Sequence, residues 1–523
     1  MSPSQPALFA LTDLPVDIVL DIMGRLTPYD VLTLRKTSRL LRALSDERIV
    51  WIDVLRSACK RQNVYAPSFP YETMDARELQ ARATAGRGFN YRIRRHAEIS
   101  ETSQPDPDEL ELGSEATRLR TADASPLAPN AIRYILPSAT EPTEEFENLR
   151  FIPGGRFILT SHRAFVRVWD AGIGTAPSVD GPVISYQLPG PEAAEITSIR
   201  IRASPADDDN ALVIVTSVLH LVTFRVHVLL FSAEKWSLVP FCADLVLSNL
   251  DDPDIPVVIG LTSTHISLAK PYSVIVWNFV RDMWVSWSKQ STRQEDTLYI
   301  CDETIVYVSG DLSEVWLAPL PALQPCERGL GSEGATPPLA SHPVIMHADV
   351  LRVGGESLRS LLSGVTLVYA ERESVPLFFD VMSRQLETGS VLLSHYVVER
   401  EGSCSSKLSV RFLGQTTTTA EYRAAHSLHL EWVRDPGAAP GYVQAFIVEG
   451  YLLHVVVTDI EDGGELKTVR GMLGTPGLVL NELNVDFCSF SGRVAARVPV
   501  DLIEEDGDDF VDRRCKLAVF DYV

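Results

Sequence analysis

Two charged clusters contain the side chains of this sequence that are best suited to binding chemistry. Six arginines lie within residues 77–95 and six carboxylates within residues 504–512: Arg77, Arg82, Arg87, Arg92, Arg94, Arg95, Glu504, Glu505, Asp506, Asp508, Asp509 and Asp512. Guanidinium groups can bind phosphate or acidic protein surfaces. Carboxylates can bind calcium, but this spacing does not match an EF-hand loop. We interpret the carboxylates as a surface loop and the arginines as a solvated face that pairs with neighbouring acids. Docking against the β domain or an acidic partner protein, and contact with phosphate or nucleic acid, remain alternatives for the arginines.

The sequence lacks the common signatures of catalytic sites. It contains no GxxxxGK[ST], HExxH or GxSxG pattern, so nothing predicts a P-loop, zinc-protease or hydrolase centre. The seven cysteines are odd in number and include no CxxC pair, which argues against a disulfide framework and a zinc site. We therefore expect no catalytic residue, no metal and no cofactor. An enzyme remains an alternative only if folding gathers an acid, a base and a nucleophile.

The net charge limits the partners that the chain can attract. The formal charge is −22 over 523 residues, which disfavours binding to nucleic acid and to anionic membranes. The first residues show no signal-peptide pattern, and we expect a cytoplasmic or nuclear protein. Residues 211–231 are apolar enough to suggest a membrane span, but His220, Arg225 and His227 interrupt them. We predict two strands with a tight connection there.

Composition divides the chain into four regions. Residues 11–60 have a helical pattern, and residues 61–98 read as a helical, Arg-rich linker. Residues 99–128 are acidic, rich in Pro and Ser and free of aromatic residues, which predicts a disordered linker. Residues 129–523 consist of short β-type runs separated by turn residues. We therefore predict a multidomain chain, with a small all-α module followed by an all-β domain.

Seven apolar runs that end near an aromatic residue recur in the β region. They are VRVWD (166–170), VHVLLF (226–231), VIVWNF (274–279), EVWLAPL (314–320), PLFFDV (376–381), LHLEWV (428–433) and LAVFDYV (517–523). The clearest unit spans residues 151–170, where a Pro-Gly-Gly turn at 153–155 precedes two strands ending at Trp169-Asp170. This unit resembles the WD-repeat β-propeller family. The resemblance implies a propeller, for which we predict seven blades, with six or eight as alternatives.

A propeller must close its last blade on its first, because an open ring exposes a strand edge. The chain ends within an apolar run, KLAVFDYV, and the run AIRYILP (131–137) follows the predicted linker. We predict that AIRYILP forms the outermost strand of the last blade. We also interpret Trp169, Trp277 and Trp316, which lie at strand ends, as residues that pack the blades.

The helical module has more apolar surface than its size requires. Residues 16–26 place apolar side chains over an arc of roughly 200°, about twice the stripe of a helix that faces one core. Thr27-Pro28-Tyr29-Asp30 has the pattern of a helix start, with Thr27 as the cap. A third helix follows around Leu40–Leu44, and Asp46 could cap a fourth helix. The excess surface predicts a protein partner.

This module resembles the F-box family. Leu14-Pro15 followed by Asp17-Ile18 matches the opening of the motif, Pro28-x-Asp30-Val31-Leu32 matches its second helix, and Trp51 matches its final tryptophan. The segment TSRLLRAL departs from the family, which often has a Cys-Lys/Arg-Trp cluster there. The resemblance implies binding to a Skp-family adaptor. The residues expected at this contact are Leu14, Pro15, Ile18, Ile22, Leu26, Pro28, Val31, Leu32 and Trp51.

The resemblance implies a non-catalytic substrate receptor of an SCF-type cullin–RING ubiquitin ligase. The adaptor would link the chain to a cullin, and the propeller would capture a protein substrate whose identity the sequence does not indicate. The alternative is a scaffold outside any ligase, with a re-used or vestigial F-box.

Overall fold

The structure, a computed structural model, contains an N-terminal helical module followed by antiparallel sheets. It describes residues 11–523 apart from gaps at 63, 103–125, 136–147, 175–177, 191–194, 204–210, 221–222, 248–255, 271, 289–296, 302, 309–313, 327–346, 351–360, 370–376, 386–390, 401–407, 419–427, 434–441, 450–451, 461–465, 476–484, 489 and 500–514. Most of the predicted acidic linker and the carboxylate cluster at 504–512 therefore lie outside the described residues.

Six α-helices and two short 3-10 turns form the N-terminal part. The elements are a 3-10 turn at Leu11–Asp13, α1 Val16–Arg25, α2 Pro28–Leu34, α3 Arg39–Ser45, α4 Arg48–Arg61, a 3-10 turn at Ala66–Ser68, α5 Ala76–Ala83 and α6 Ala85–Thr102. The predicted start of α2 is confirmed. Thr27 accepts a hydrogen bond from the Asp30 backbone N–H at 3.2 Å, and Pro28 occupies the first turn.

The prediction that Asp46 caps the fourth helix is wrong. Asp46 has helical dihedrals (φ −86°, ψ −7°) and ends α3, whereas Glu47 is the extended residue before α4. The Asp46 carboxylate instead forms an ion pair with Arg35 at 2.9 Å. A cap needs an extended backbone, so the residue that already closes one helix cannot also start the next.

In the described residues thirty strands follow, and every pairing between two of these strands is antiparallel. They are β1 Ala131–Ile135, β2 Asn148–Phe151, β3 Phe157–His162, β4 Phe165–Asp170, β5 Ile184–Gln187, β6 Glu195–Ala203, β7 Leu212–His220, β8 Thr223–Ser232, β9 Ser237–Pro240, β10 Leu245–Leu247, β11 Val257–Leu261, β12 His265–Lys270, β13 Ser273–Asn278, β14 Met283–Ser288 and β15 Thr297–Cys301. The others are β16 Thr304–Val308, β17 Glu314–Pro319, β18 Gln324–Pro325, β19 His347–Val350, β20 Leu361–Tyr369, β21 Leu377–Gln385, β22 Val391–Arg400, β23 Leu408–Thr418, β24 Leu428–Val433, β25 Tyr442–Glu449, β26 Leu452–Ile460, β27 Leu466–Gly474, β28 Val485–Cys488, β29 Arg493–Pro499 and β30 Cys515–Asp521.

The described strands form seven sheets of four or five strands each. The first strands of the sheets, β2, β6, β11, β15, β20, β24 and β28, contact one another in this order, and β28 contacts β2 again. Sheets that meet in a closed ring through one edge strand each make a β-propeller. The total number of blades stays a prediction.

The recurrent apolar runs of the sequence all form strands. They contribute β4, β8, β13, β17, β21, β24 and β30, and each of these belongs to a different sheet. Residues 212–220 and 223–232 form the antiparallel pair β7–β8, as predicted. In the described part of the chain, no helix has both the length and the hydropathy of a transmembrane span.

The ring closes through a strand from the other end of the β domain. Strand β1 pairs antiparallel with β30, with Ile132 opposite Phe520 and Ile135 opposite Leu517, and it is the outermost strand of the last sheet. The predicted role of AIRYILP is therefore confirmed. Because Ile135 and Leu517 are fully buried, this pairing adds apolar packing to the main-chain hydrogen bonds.

Two charged side chains, one fully buried and one largely buried, join the last sheet to the first. The Arg493 guanidinium, which is 0% exposed, donates from Nη1 to the Gly155 and Gly172 carbonyls, the latter at 2.7 Å. Asp486 accepts from the Phe151 backbone N–H and lies 3.5 Å from Arg150. Both links satisfy polar groups that the closed ring removes from water.

The segment after α4 fixes the helical module to the ring. The Tyr65 hydroxyl accepts from the Ala233 backbone N–H at 2.7 Å, and the Ser68 hydroxyl donates to the Pro153 carbonyl at 3.2 Å. Gly154, at φ +111°, permits this approach, because a Cβ there would lie 2.5 Å from the Ser68 hydroxyl oxygen. The module and the propeller are therefore joined by buried contacts.

Helix α6 makes a second contact with the ring, at the chain terminus. Phe89 and Ile93 share one buried cluster with Leu453 on β26 and Tyr522. Arg92 donates a hydrogen bond to the Tyr522 carbonyl. The helix that leads towards β1 thus also covers the end of β30, the strand with which β1 pairs.

We expect Ile135→Ala to destabilise the protein by about 2–4 kcal/mol, because it empties a buried site at the closing strand. Ile132→Ala on the same strand is the matched control. Ile132 is 37% exposed, and its truncation should cost under about 1 kcal/mol. Urea denaturation of both variants measures the difference, and equal losses would contradict a closing role for β1.

We expect the link through Asp486 to have a pH signature. Burial raises the pKa of Asp486, against the lowering effects of Arg150 and two backbone N–H groups. The folded state then binds this proton more tightly than the unfolded state does. As the pH falls from 7 through the raised pKa, the wild type should therefore gain stability relative to Asp486→Asn. Thermal unfolding of the two proteins across this range tests the sign, and a constant difference would contradict it.

Candidate functional site

The apolar arc of α1 faces two environments. Val19 and Met23 are 2% and 0% exposed and pack in one core with Val54 and Leu55 of α4. The two helices approach closely at Gly24, where a Cβ would lie only 2.8 Å from the Asp53 Cβ. This close packing orients α1 and sets which of its apolar side chains face inwards.

The outward side of α1 exposes large apolar side chains. Val16 and Ile18 are 49% and 48% exposed, and Leu40 on α3 and Ile49 on α4 are exposed to a similar degree. Four of the thirteen exposed large hydrophobic residues that the structure describes thus lie within residues 16–49. Such a concentration of apolar surface is typical of a protein-interaction site.

The nine predicted contact residues differ in accessibility. Pro15 and Ile18 are exposed, while Leu14, Ile22, Leu26 and Leu32 are half-buried. Pro28, Val31 and Trp51 are buried, and the Trp51 indole N–H donates to the Ser45 carbonyl at 2.7 Å. These three buried residues support the helical core. Only the other six are accessible to a partner protein.

Sequence reasoning did not assign Leu40 and Ile49 to this surface. Both lie in helices whose neighbouring apolar residues, Leu41 and Val50, are buried. Their periodicity showed that each helix has an inner face. It did not show that the outer face would also keep a large aliphatic side chain.

The arginines of residues 77–95 do not form a single basic face. Arg87 lies over the Tyr29 ring, 4.1 Å from its centroid, and Arg92 bonds to the Tyr522 carbonyl. Arg77 instead faces a cavity beside α2 and α3. The helices α5 and α6 therefore distribute these cations among separate contacts.

That cavity has a volume of about 1320 Å³. Its rim is basic. Four of the cations, Arg35, Lys36, Arg39 and Arg42, come from the sequence segment RKTSRLLR, and a fifth is Arg77 on α5. The spacing of the basic residues on α3 was visible in the sequence, but Arg77 is about 40 positions away. Only the folding of the helical module, in which α5 packs against α4, brings it to the same cavity.

The tryptophans at strand ends pack the sheets where the structure describes them. Trp169 is 1% exposed and donates to the Thr160 hydroxyl at 2.8 Å. Trp277 is fully buried and donates to Asp282 at 3.2 Å. Trp316 lies in β17, but its side chain is outside the described residues.

Residues suited to metal or redox chemistry do not cluster in the described ranges. No group of three His, Cys, Asp or Glu side chains there could hold a metal ion. The exposed apolar side chains of Val16, Ile18, Leu40 and Ile49 are the candidate site that the structure offers.

Comparison with protein families assigns the helical module. The family model described as F-box domain matches residues 11–53. Residues 11–53 are an F-box domain. The match covers α1, α2, α3 and the first part of α4, so the exposed apolar face belongs to the F-box. A search of curated proteins finds no match to the chain.

Several solved propellers share structural likeness with the chain. The WD40 domain of SCAP from fission yeast is 10% identical, with 72% of this chain and 84% of that one covered and a TM-score of 0.34. Polycomb Repressive Complex 2 of Chaetomium thermophilum contains a chain that is 10% identical, with 64% and 72% covered and a TM-score of 0.36. The Dos1 propeller is 9% identical, with 65% and 71% covered and a TM-score of 0.30. Because these scores are below 0.5, the propeller assignment rests on the sheet topology alone.

We expect substitutions on the two sides of α1 to differ sharply in stability. Ile18→Glu should change the free energy of unfolding by less than about 0.5 kcal/mol, because Ile18 is half exposed. Val19→Glu should cost more than about 3 kcal/mol, because it buries an unpaired carboxylate. Urea denaturation distinguishes the two, and a large loss in Ile18→Glu would place its side chain in the core.

Proposed function

We propose that the chain is a substrate-receptor subunit of an SCF-type cullin–RING ubiquitin ligase. The F-box would dock on a Skp-family adaptor, which links it to the cullin, and the propeller would capture a protein substrate. The observation that carries the proposal is the exposed apolar face of α1 within an F-box domain. The half-exposed Val16 and Ile18, two positions apart at the start of α1, gain free energy when a partner covers them.

The role proposed for the chain is non-catalytic. A receptor accelerates transfer by holding a substrate lysine near a charged ubiquitin-conjugating enzyme, which raises the effective concentration of the two reactants. This effect is greatest when the connection between the two binding sites is stiff. The contacts of Tyr65 and Ser68 with the ring, and of Phe89 with the cluster around Tyr522, supply such a connection.

The adaptor contact is proposed to involve the accessible members of the predicted set. Pro15 and Ile18 lie outermost, and Leu14, Ile22, Leu26 and Leu32 extend the surface as half-buried residues. We add Val16 to this set, because it is 49% exposed and lies between Pro15 and Ile18 in the chain. Aliphatic anchors of this kind contribute most when a partner fully excludes water from them.

A scaffold outside any ligase is the second candidate function. The segment TSRLLRAL, where this F-box departs from its family, forms α3 and contributes to the basic cavity. A changed surface at this position favours a partner other than a ligase component. Adaptor binding without recruitment of a cullin would support the scaffold.

Val16→Glu/Ile18→Glu should weaken adaptor binding at least about tenfold, because complex formation would bury two unpaired carboxylates. The full chain is co-purified with a Skp-family adaptor, and affinity is measured by titration. The matched control is Val239→Glu/Val280→Glu, which alters two propeller residues of 45% and 46% exposure.

The control should bind the adaptor like the wild type. Absence of adaptor binding by the wild type, or unchanged binding by the folded α1 variant, would overturn the proposal. Addition of a cullin to the adaptor complex then separates the receptor from the scaffold.

A further inference from the structure

The helical region at residues 11–98 has the opposite charge from the rest of the chain. Residues 11–98 contain 15 Lys and Arg against 11 Asp and Glu, a net charge of +4 in a chain of net charge −22. The excess is local, since residues 31–42 include four cations and no acid. Positive potential on an acidic molecule identifies a place where anions concentrate.

The cations around the cavity beside α2, α3 and α5 lack counter-charges. Arg35 is neutralised by Asp46 at 2.9 Å. In the part of the chain that the structure describes, the charged groups of Lys36, Arg39, Arg42 and Arg77 form no ion pair or hydrogen bond. Four unneutralised like charges around one cavity repel each other, and an anionic ligand would remove that repulsion.

The volume of the cavity and its apolar lining indicate the kind of ligand that it can bind. Its volume of about 1320 Å³ exceeds that of most small-molecule sites, which span about 300–1,000 Å³, and it suits a length of polypeptide. Leu32 and Ala76, which are half-buried, contribute apolar surface between the cations. A ligand that pairs with the cations and also covers the apolar patch must have several carboxylates and an apolar side chain among them.

We propose that this cavity binds an acidic segment of a partner protein, anchored by one apolar residue. Arg39, Arg42 and Arg77 pair with its carboxylates, and the apolar residue contacts Leu32 and Ala76. Arginine suits this task because its guanidinium can bind a carboxylate through two parallel hydrogen bonds. The inference does not rest on adaptor binding, although the cavity includes Leu32 and Trp51 of the predicted adaptor set.

The test measures binding of a fluorescein-labelled peptide, Glu-Glu-Leu-Glu-Glu-Glu, to the purified full chain. A second peptide with Gln in place of every Glu reports the contribution of charge. We expect the acidic peptide to bind at least about tenfold more tightly than the Gln peptide, and its affinity to fall with rising salt. Equal affinities for the two peptides would overturn the proposal.

Two charge-reversal variants locate the site. Arg39→Glu/Arg42→Glu should weaken the acidic peptide at least about tenfold. Lys235→Glu/Arg281→Glu changes the charge by the same amount at two exposed propeller residues and should leave binding unchanged. Equal losses in both variants would mean that the net charge of the chain, and no particular cavity, governs binding.

Two further measurements complete the test. Lys36→Gln/Arg77→Gln removes charge without adding acids, keeps α3 unaltered, and should weaken the acidic peptide several-fold. Displacement of the peptide by millimolar inorganic phosphate at constant ionic strength would identify a small-anion site and overturn the proposal. Val16→Glu/Ile18→Glu, which leaves the cavity residues intact, should bind the acidic peptide normally even if adaptor binding fails.

Discussion

The closure of the ring depends on a buried cation between its first and last sheets. Arg493 is fully buried, and its burial lowers the pKa to about 10, so the side chain stays charged at neutral pH. Its partners are the carbonyls of Gly155 and Gly172, with the Asp521 carboxylate 3.7 Å away. Removal of a charge from water is tolerated only if its partners are held in place. Arg493 therefore requires the first sheet to lie in one position relative to the last sheet.

The same closure connects the fold to the proposed function. Strand β1 follows α6 in the chain and completes the last sheet, while α6 packs over the terminus of β30 through Phe89 and Tyr522. At another point of the ring, Tyr65 bonds to Ala233. Because the α6 attachment uses the last sheet, opening of that sheet would also release α6. Closure of the propeller and this attachment of the helical module therefore depend on each other.

Local patterns allowed much of this architecture to be predicted from the sequence. The Thr27 cap, the seven strand-forming runs and the closing strand AIRYILP all depend on periodicity or turn chemistry over a few residues. The features that escaped prediction depend on distant pairs. Arg493 meets Gly155 across 338 positions, and Tyr65 meets Ala233 across 168 positions. The sorting of the α1 arc likewise needed the packing of α4, since Ile18 and Val19 are equally apolar in the sequence.

The two surfaces of the helical module can supply different parts of recognition. Apolar side chains such as Ile18 contribute affinity without much discrimination, because water exclusion is non-directional. The cations around Arg39 and Arg42 can discriminate, because a segment without acids leaves them unpaired and a basic segment is repelled. The acidity of the rest of the chain strengthens this selection, since it disfavours acidic segments everywhere else on the molecule. A module that combines the two surfaces can bind one partner by apolar contact and still select among partners by charge.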